Sequence, residues 1–357
     1  MTGSDRVRRI LDANPVWLAP MAGVNDAVFR GICQRMGAGL TYTEMISATG
    51  LHYHFDNETS QRLLRLSDNE DQVAVQLFGA QPDIIARQAS AVCELLGARV
   101  AFIDINMGCP VSKVVRKGEG SALMDDPDRA AMIVTKTVTM LEGRGEDGTD
   151  IPVTVKFRKG CTAHSDDPIL FALKMQEAGA SALAVHGRYA DQLYAGTSDS
   201  EVIGRIAQAV DIPVLGSGDI WSAEDALRMI RPADEQGVGA DGVLIARGSQ
   251  GNPWLFSQVS ALRHGHEWTG PTYQEVFAVM GEHARGIEAV FGTKALVRMR
   301  KHAMWYCHGF PVASTFRAHI NAISTMGDLE ALIETYRAYL SSQGIALSDT
   351  VAARRSR

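Results

Sequence analysis

Short apolar runs alternate with helical patterns along most of the chain. Runs rich in Val, Ile, Leu and Ala predict eight strands, at residues 16–21, 40–45, 73–78, 102–107, 153–157, 182–186, 214–216 and 242–246. Helix signals fall between them: Pro82 and Asp126 at starts, Gly97 past an end, and Ser222 with Asp225 as a capping box. Eight such alternations predict an α/β fold, a (β/α)8 TIM barrel. A doubly wound sheet would give the same alternation.

The strand pattern ends before Trp254, and helical patterns continue from there. Thr272 and Glu275 form a T-x-x-E capping box after a polar bridge at residues 263–271. We therefore predict a catalytic barrel over residues 1–262, a C-terminal all-helical bundle over residues 272–345, and a flexible tail over residues 346–357.

Composition narrows the possible classes of protein. The five cysteines form no C-x-x-C pair, which argues against disulfides and a zinc cluster and favours a reduced, cytoplasmic setting. His52 with His54, and His264 with His266, lack a carboxylate or thiolate that would complete a metal site. We interpret these histidines as solvated loop residues and predict no metal. No run of eighteen apolar residues predicts a membrane span.

Polar side chains interrupt three predicted strands. Gln76, Lys156 and His186 each lie in a run otherwise built of apolar residues, and burying such groups unpaired is costly. In a barrel, strand ends converge on one face, so the three interruptions predict a shared polar ligand. An internal ion pair for Lys156, or a satisfied core histidine at position 186, is the alternative.

Glycine-rich turns follow the seventh and eighth predicted strands. Ser217 and Gly218 lie in the first turn and Arg247 begins the second. Small residues leave backbone N–H groups open to an anion, and these two turns are the usual phosphate site of a barrel. A single glycine turn is most often a plain turn, but two at these places favour phosphate binding.

The fourth predicted strand ends in a Gly-Cys-Pro turn that carries Cys109. A basic segment with Lys113, Arg116 and Lys117 follows at once. Cysteine thiols are mainly protonated at neutral pH, since their ordinary pKa is about 8.5, and can donate a proton. The turn therefore predicts a reactive thiol beside a surface that suits a polyanion.

A local basic region contrasts with the formal net charge of −6. Residues 285–317 contain one acidic residue, Glu288, and six basic residues: Arg285, Lys294, Arg298, Arg300, Lys301 and Arg317. A solvated helix face is one interpretation, and a nucleic-acid surface is the other.

Together these motifs resemble the tRNA-dihydrouridine synthases, most of all the bacterial B-type branch. The resemblance spans about residues 16–330 and is most specific in the Asn-Met-Gly-Cys-Pro block. The matching segments are residues 19–23, 26, 29–30, 43–45, 75–77, 104–110, 116–117, 120–123, 155–156, 186–188, 218–220, 251–254, 300–302 and 305–306.

The resemblance implies an FMN enzyme, reduced by NADPH, that saturates the C5=C6 bond of selected tRNA uridines. Cys109 would protonate C5 while hydride from the flavin reaches C6. The implied cofactor-binding residues are Pro20, Met21, Ala22, Gln76, Lys156, His186, Ser217, Gly218, Asp219, Ala246 and Arg247. The implied substrate or tRNA contacts are Asn106, Lys113, Arg116, Lys117, Arg188, Arg298, Arg300 and Lys301.

Two positions depart from the family pattern. Ser217 stands where the family usually has Asn, and Ala246 where it usually has Gly. We expect an adjusted phosphate site that still retains FMN. A related FMN barrel acting on a free small molecule is a second interpretation, which the basic helical segment disfavours. An RNA-binding protein without catalysis is a third, which Cys109, Asn106 and Lys156 disfavour.

Overall fold

The computed structural model describes residues 2–145, 148–311 and 316–351. Eight parallel strands form one curled sheet in the order β1-β8-β7-β6-β5-β4-β3-β2. The strands are β1 Val16–Leu18, β2 Ile46–Ser47, β3 Val73–Phe78, β4 Val100–Met107, β5 Val153–Arg158, β6 Ala182–His186, β7 Val214–Ser217 and β8 Gly242–Ile245. The first strand pairs with the last, as a barrel requires and a doubly wound sheet does not.

The remaining side of the barrel is closed by residues 39–43. The Leu18 N–H donates to the Leu40 carbonyl at 2.9 Å, and the Ala74 N–H donates to the Thr41 carbonyl at 2.9 Å. This segment occupies the place of the predicted strand 40–45, between β1 and β3. Regular pairing starts only afterwards, in the two-residue β2, so the predicted bounds of this strand were wrong. The predicted (β/α)8 TIM-barrel fold is confirmed.

Alternate residues of each strand point into the barrel. The lower interior is apolar and includes Trp17, Tyr42, Phe102, Leu215 and Leu244, all at most 1% exposed. Toward the carboxyl ends the same faces become polar, so the barrel is closed below by hydrophobic packing and lined by hydrogen-bonding groups above.

Helices surround the sheet and continue beyond it. Their bounds are α1 Gly3–Ala13, α2 Ala27–Arg35, α3 Ala48–His54, α4 Glu58–Leu64, α5 Pro82–Leu96, α6 Ser112–Val115, α7 Pro127–Leu141, α8 Pro168–Glu177, α9 Ser200–Ala209, α10 Ala223–Ile230, α11 Trp254–Arg263, α12 Tyr273–Phe291, α13 Met299–Tyr306, α14 Arg317–Ala322 and α15 Met326–Ser342. The predicted caps at Asp126, Ser222 and Thr272 are confirmed, since each side chain accepts a backbone N–H of its helix.

The last four helices bury a second hydrophobic cluster of their own. Two barrel side chains, Ile32 on α2 and Trp254 on α11, belong to this cluster, so the helical segment packs directly on the barrel. Within the predicted tail, the Val351 N–H donates to the Pro271 carbonyl at 2.9 Å. Residues 352–357 lie outside the described residues. The division at residues 262 and 272 stays a prediction.

The paired histidines are solvent-exposed, but not all are in loops. His52 and His54 lie on helix α3, which corrects the predicted loop, while His264 caps the end of α11. Across the described residues, no helix combines the length and apolar character needed to cross a membrane.

A buried ion pair connects α2 to the loop before β3. Glu70 accepts from Arg30 Nε at 2.7 Å and Arg30 Nη2 at 2.9 Å, and both side chains are at most 1% exposed. Thr41 Oγ1 and the Ser67 N–H also donate to this carboxylate, each at 2.7 Å. Four donors thus surround Glu70, which offsets the cost of burying its charge.

We expect Glu70→Gln to lower the free energy of unfolding by about 3–5 kcal/mol, because it leaves the Arg30 charge buried and unpaired. Urea unfolding of the purified variant would measure the loss. Glu94→Gln is the matched control, since Glu94 pairs with Arg144 at an exposed site and should change stability by less than about 1 kcal/mol. Equal losses of stability for the two variants would contradict a stabilising role of the buried Arg30–Glu70 ion pair.

Candidate active site at the carboxyl end of the barrel

The polar interior of the barrel is organised around Asp104 on β4. This carboxylate is fully buried. Thr154 Oγ1 on β5 donates to Oδ1 at 2.6 Å, and Gln76 Nε2 on β3 donates to Oδ2 at 2.7 Å. Strand register explains the contacts, since Asp104 is paired with Gln76 on one side and Thr154 on the other.

Asp104 sets the direction of a longer hydrogen-bond chain. Because the ionised carboxylate can only accept, it turns the amide nitrogen of Gln76 toward itself and leaves Gln76 Oε1 to accept from Asn106 Nδ2 at 2.9 Å. Asn106 Oδ1 in turn accepts from the N–H groups of Gly108 at 3.1 Å and Cys109 at 2.9 Å. One carboxylate therefore orients two amides and the turn that holds the thiol.

The Gly-Cys-Pro turn is also held from β5. Arg158 Nε donates to the Gly108 carbonyl at 2.9 Å, and the rest of its guanidinium donates to the Tyr189 and Leu193 carbonyls. Cys109 is half-buried at the rim of the barrel. Its backbone is thus fixed while its side chain lies where solvent or a ligand can reach it.

Burial shifts the pKa values of the ionisable groups around the opening. Desolvation lowers the pKa of Lys156 to about 8, with Arg158 adding to the effect and Asp104 opposing it. Desolvation also raises the pKa of Asp104 to about 6, against hydrogen bonds from Thr154 and Gln76. Burial, followed by the charges of Lys156 and Arg158, lowers the pKa of His186 to about 2, so this imidazole is neutral near pH 7.

Lys156 has no close partner for its charge. Among the described residues, neither a hydrogen bond nor an ion pair within 4 Å reaches its ammonium group. The alternative of an internal ion pair for Lys156 is therefore not supported. An ammonium without a close anionic partner, on the strand position that pairs with Asn106, is available to an anionic or electron-rich ligand.

Asp219 organises the turn after β7. Its carboxylate accepts from Arg188 Nη2 at 2.7 and 2.8 Å and lies 3.6 Å from Arg247 Nη2. Gly218 has φ +113°, and a Cβ there would lie 2.3 Å from Ser198 Oγ, so the turn requires glycine. Arg188, predicted as an RNA contact, is 2% exposed, and its guanidinium also donates to the Ala195 and Gly196 carbonyls.

Arg247 projects from the turn after β8. Its guanidinium lies 4.5 Å from the Tyr194 ring centroid and 4.8 Å from that of Trp221. These rings hold the half-buried cation in place. Gly216, within strand β7, serves packing instead, because a Cβ there would clash with Met229 Sδ.

The chain is similar to known proteins over most of its length. A family model described as dihydrouridine synthase (Dus) matches residues 17–342. The tRNA-dihydrouridine synthase B of Pseudomonas putida is 38% identical over 332 residues, which cover 92% of each chain. A probable tRNA-dihydrouridine synthase of Mycobacterium tuberculosis is 39% identical over 342 residues, covering 92% of this chain and 84% of the relative.

The chain belongs to the dihydrouridine synthase family. Membership assigns it to the enzymes that reduce uridine in tRNA to dihydrouridine. The predicted resemblance, including the B-type branch, is confirmed, and so is the class of enzyme.

The other predicted site residues of this dihydrouridine synthase lie on three surfaces. Pro20 and Met21 are half-buried and Ala22 is exposed in the loop after β1. Ser217 is the last residue of β7 and Ala246 directly follows β8, where its carbonyl accepts from Ser249 Oγ at 2.7 Å. Lys113, Arg116 and Lys117 are exposed beside the Cys109 turn.

The predicted basic residues of the helical segment make different contacts within the protein. Arg300 Nε donates to the Ile323 carbonyl at 2.8 Å, and Lys301 Nζ donates to the Gly23 carbonyl. Arg298 lies over the Phe291 ring at 4.9 Å. All three side chains are partly exposed, so internal bonds use only part of their donor capacity.

Sequence reasoning assigned no role to Asp104, Thr154 or Arg158. A signal was available for them, since Asp104 lies two residues before Asn106, while Thr154 and Arg158 flank Lys156 by two residues on each side. Period-two spacing places them on the same face of their strands. Tyr194 and Trp221 come from loops, and no local pattern could have indicated their contact with Arg247.

The raised pKa of Asp104 makes stability depend on pH. Because this pKa exceeds the ordinary value of 3.8, the folded state binds the proton more tightly, and the contribution of Asp104 to the free energy of unfolding falls as pH rises from about 4 to about 6. Asp104→Asn cannot ionise. The stability of the variant relative to wild type should therefore rise by roughly 2–3 kcal/mol across this range.

Urea unfolding of both proteins at a series of pH values would check this prediction. Asp68→Asn, at an exposed position, is the matched control and should run parallel to wild type. A parallel curve for Asp104→Asn would show that the carboxyl does not titrate in this range.

Proposed function

We propose that this enzyme reduces the C5=C6 bond of selected tRNA uridines with FMN as cofactor and NADPH as reductant, and that Cys109 is the proton donor. The observation that carries the proposal is the fixed position of the half-buried Cys109 at a polar barrel mouth. A cytoplasmic location, where tRNA and NADPH are both present, belongs to the same proposal.

The residues at the mouth fit an isoalloxazine ring. Lys156 offers an ammonium without a close partner, and Gln76 and neutral His186 offer hydrogen-bonding groups in the same polar layer. Pro20, Met21 and Ala22 would line the ring from the loop after β1. Lys156 would face the pyrimidine edge, where a cation stabilises developing negative charge.

The turns after β7 and β8 fit a phosphate. Arg247 would bind it, together with backbone N–H groups near Ser217, Gly218 and Ala246. Asp219 would act through Arg247 and not by direct contact, because two anions repel. Arg188 neutralises Asp219 from the other side, so the charge of Arg247 is left to attract the phosphate.

Cys109 provides the proton that the reaction needs. When bound and reduced by NADPH, FMN would supply the hydride that reaches uracil C6. The Cys109 thiol would then donate its proton to C5, and its sulfur would be left as the thiolate. Asn106 holds the Cys109 backbone through the bond described above, and its remaining amide hydrogen is available to a uracil carbonyl.

The target uridine must leave its stack to reach the mouth, as bases do in other enzymes that modify them. Exposed Lys113, Arg116 and Lys117 would hold the adjacent phosphates. Arg298, with Arg300 and Lys301, would form a second surface on the helical segment. There Arg298 lines a cavity of about 780 Å³, whose charged side chains are Arg62, Arg65, Arg99, Lys294, Arg298 and Glu58.

We expect Cys109→Ala to retain FMN and bind tRNA but form dihydrouridine at least about 100-fold more slowly, since the general acid is lost. Flavin absorbance, tRNA binding and NADPH oxidation with tRNA would be measured on one preparation. Cys161→Ala is the matched control, because Cys161 is also half-buried and its thiol donates to the Ser121 carbonyl instead.

Normal turnover by Cys109→Ala would refute the acid role. A wild-type chain that stays colourless after incubation with FMN would refute the cofactor assignment. NADPH oxidation with a free pyrimidine but not with tRNA would favour the small-molecule alternative.

Reversing the charges beside Cys109 should weaken tRNA binding. For Lys113→Glu with Lys117→Glu, the slope of log affinity against log salt should become shallower by roughly 1–2, as expected for two lost phosphate contacts. Flavin reduction by NADPH should not change. Arg205→Glu, at an exposed position of helix α9, is the control, and an equal effect there would indicate non-specific charge alone.

A further inference from the structure

Three ligand-type side chains far apart in the chain meet between the barrel and the helical segment. Asp26 precedes α2, His283 lies on α12 and His302 lies on α13. One potential ligand atom from each residue lies within 4.8 Å of the other two. Both histidines are 0% exposed and Asp26 is 6% exposed.

The two imidazoles lack the partners that buried polar groups normally have. His283 Nε2 and both ring nitrogens of His302 make no hydrogen bond among the described residues. Asp26 Oδ1 caps α2 by accepting from the Val28 and Phe29 N–H groups at 3.1 and 3.0 Å, and Oδ2 remains for another ligand. Buried polar atoms normally have a hydrogen-bond partner or a ligand, so these three ring nitrogens indicate a shared ligand between the two imidazoles.

Aromatic side chains enclose the two imidazoles, and such an enclosed site suits a bound ion better than mobile water. Phe29 and Trp305 pack against His302 at 5.7 and 5.1 Å between ring centroids, and Phe29 lies 5.8 Å from His283. The two imidazole centroids are 4.4 Å apart with the planes inclined by 60°, so the rings are not stacked face to face.

His283 also has an orienting neighbour of the kind that metal ligands use. Its Nδ1 lies 3.2 Å from the Tyr306 hydroxyl, which leaves Nε2 for coordination. Lys301 is the neighbouring cation, but its ammonium donates to the Gly23 carbonyl. Glu44 and Glu282 are nearby acids, which favour an added positive charge.

We propose that Asp26, His283 and His302 bind a divalent transition metal ion, with zinc as the best match. Two imidazoles and one carboxylate are an established zinc donor set, and the same set also serves iron(II). Bonds of about 2.0–2.2 Å would draw the three atoms somewhat closer. The ion would connect the start of α2 to α12 and α13.

This proposal replaces the prediction of no metal made from sequence. The spacing of the three residues matches no local metal motif, and only the packing of the helical segment on the barrel brings them together. The ion would be independent of the proposed flavin chemistry, because none of its ligands belongs to the proposed flavin site.

The test is metal analysis of the full-length chain, purified without chelators or metal-affinity resin. We expect close to one zinc per chain by mass spectrometry of the elements. After chelation, titration with zinc chloride should restore one equivalent and raise the melting temperature. Cobalt(II) in its place should give the visible absorption of a nitrogen and oxygen site.

Asp26→Asn should weaken zinc binding by more than about tenfold, while asparagine still caps α2. His283→Ala should do the same. His52→Ala, at an exposed histidine, and Cys109→Ala should leave the stoichiometry unchanged. If the variants fail to fold, the wild-type stoichiometry still decides.

A wild-type chain that carries no metal and, once titrated, binds zinc no more tightly than Asp26→Asn would overturn the proposal. An internal water would then satisfy the imidazoles. Flavin content, measured on the same samples, keeps this outcome separate from a failure of the proposed function.

Discussion

A single acceptor-only group, the Asp104 carboxylate, determines how the polar half of the barrel is arranged. Buried amides can be turned either way, and each orientation offers a different pattern of donors and acceptors. Asp104 fixes the orientation of the Gln76 amide, and Gln76 fixes that of the Asn106 amide. Asn106 Oδ1 then accepts from the Cys109 N–H. The position of the thiol therefore depends on a buried charge two residues before Asn106 on β4, and the unfavourable burial of that charge gives the mouth a defined geometry.

The balance of charge at the mouth follows from the same burial. Asp219 is shared between Arg188 and Arg247, while Lys156 has only the more distant Asp104. His186 stays neutral chiefly because it is buried, and the cations around it lower its pKa further. The opening thus has an excess of positive charge although the protein as a whole is negatively charged. This local charge suits both an anionic cofactor and RNA. The formal net charge of −6 gives no sign of this.

Sequence patterns predicted the elements well where a local rule determines them. Short apolar runs located most of the strands, and capping residues such as Asp126 and Thr272 located helix starts. The second strand was misplaced because residues 39–43 pair with both neighbours through isolated bridges, which no hydrophobic period can show. Roles that depend on tertiary contacts also lay beyond the sequence: Arg188 was expected to face RNA, yet Asp219 holds it inside.

Contacts between the helical segment and the barrel bear on which uridine is chosen. Lys301 on α13 donates to the Gly23 carbonyl, and the Gly23 N–H donates to Glu44 beyond the closing segment. The loop after β1, which we propose lines the flavin, is therefore held by the helices that we propose hold tRNA. A rigid connection of this kind fixes the distance between Cys109 and the RNA surface. On the proposed function, selection would depend on how the whole tRNA is oriented, because only a uridine at that distance could reach the thiol.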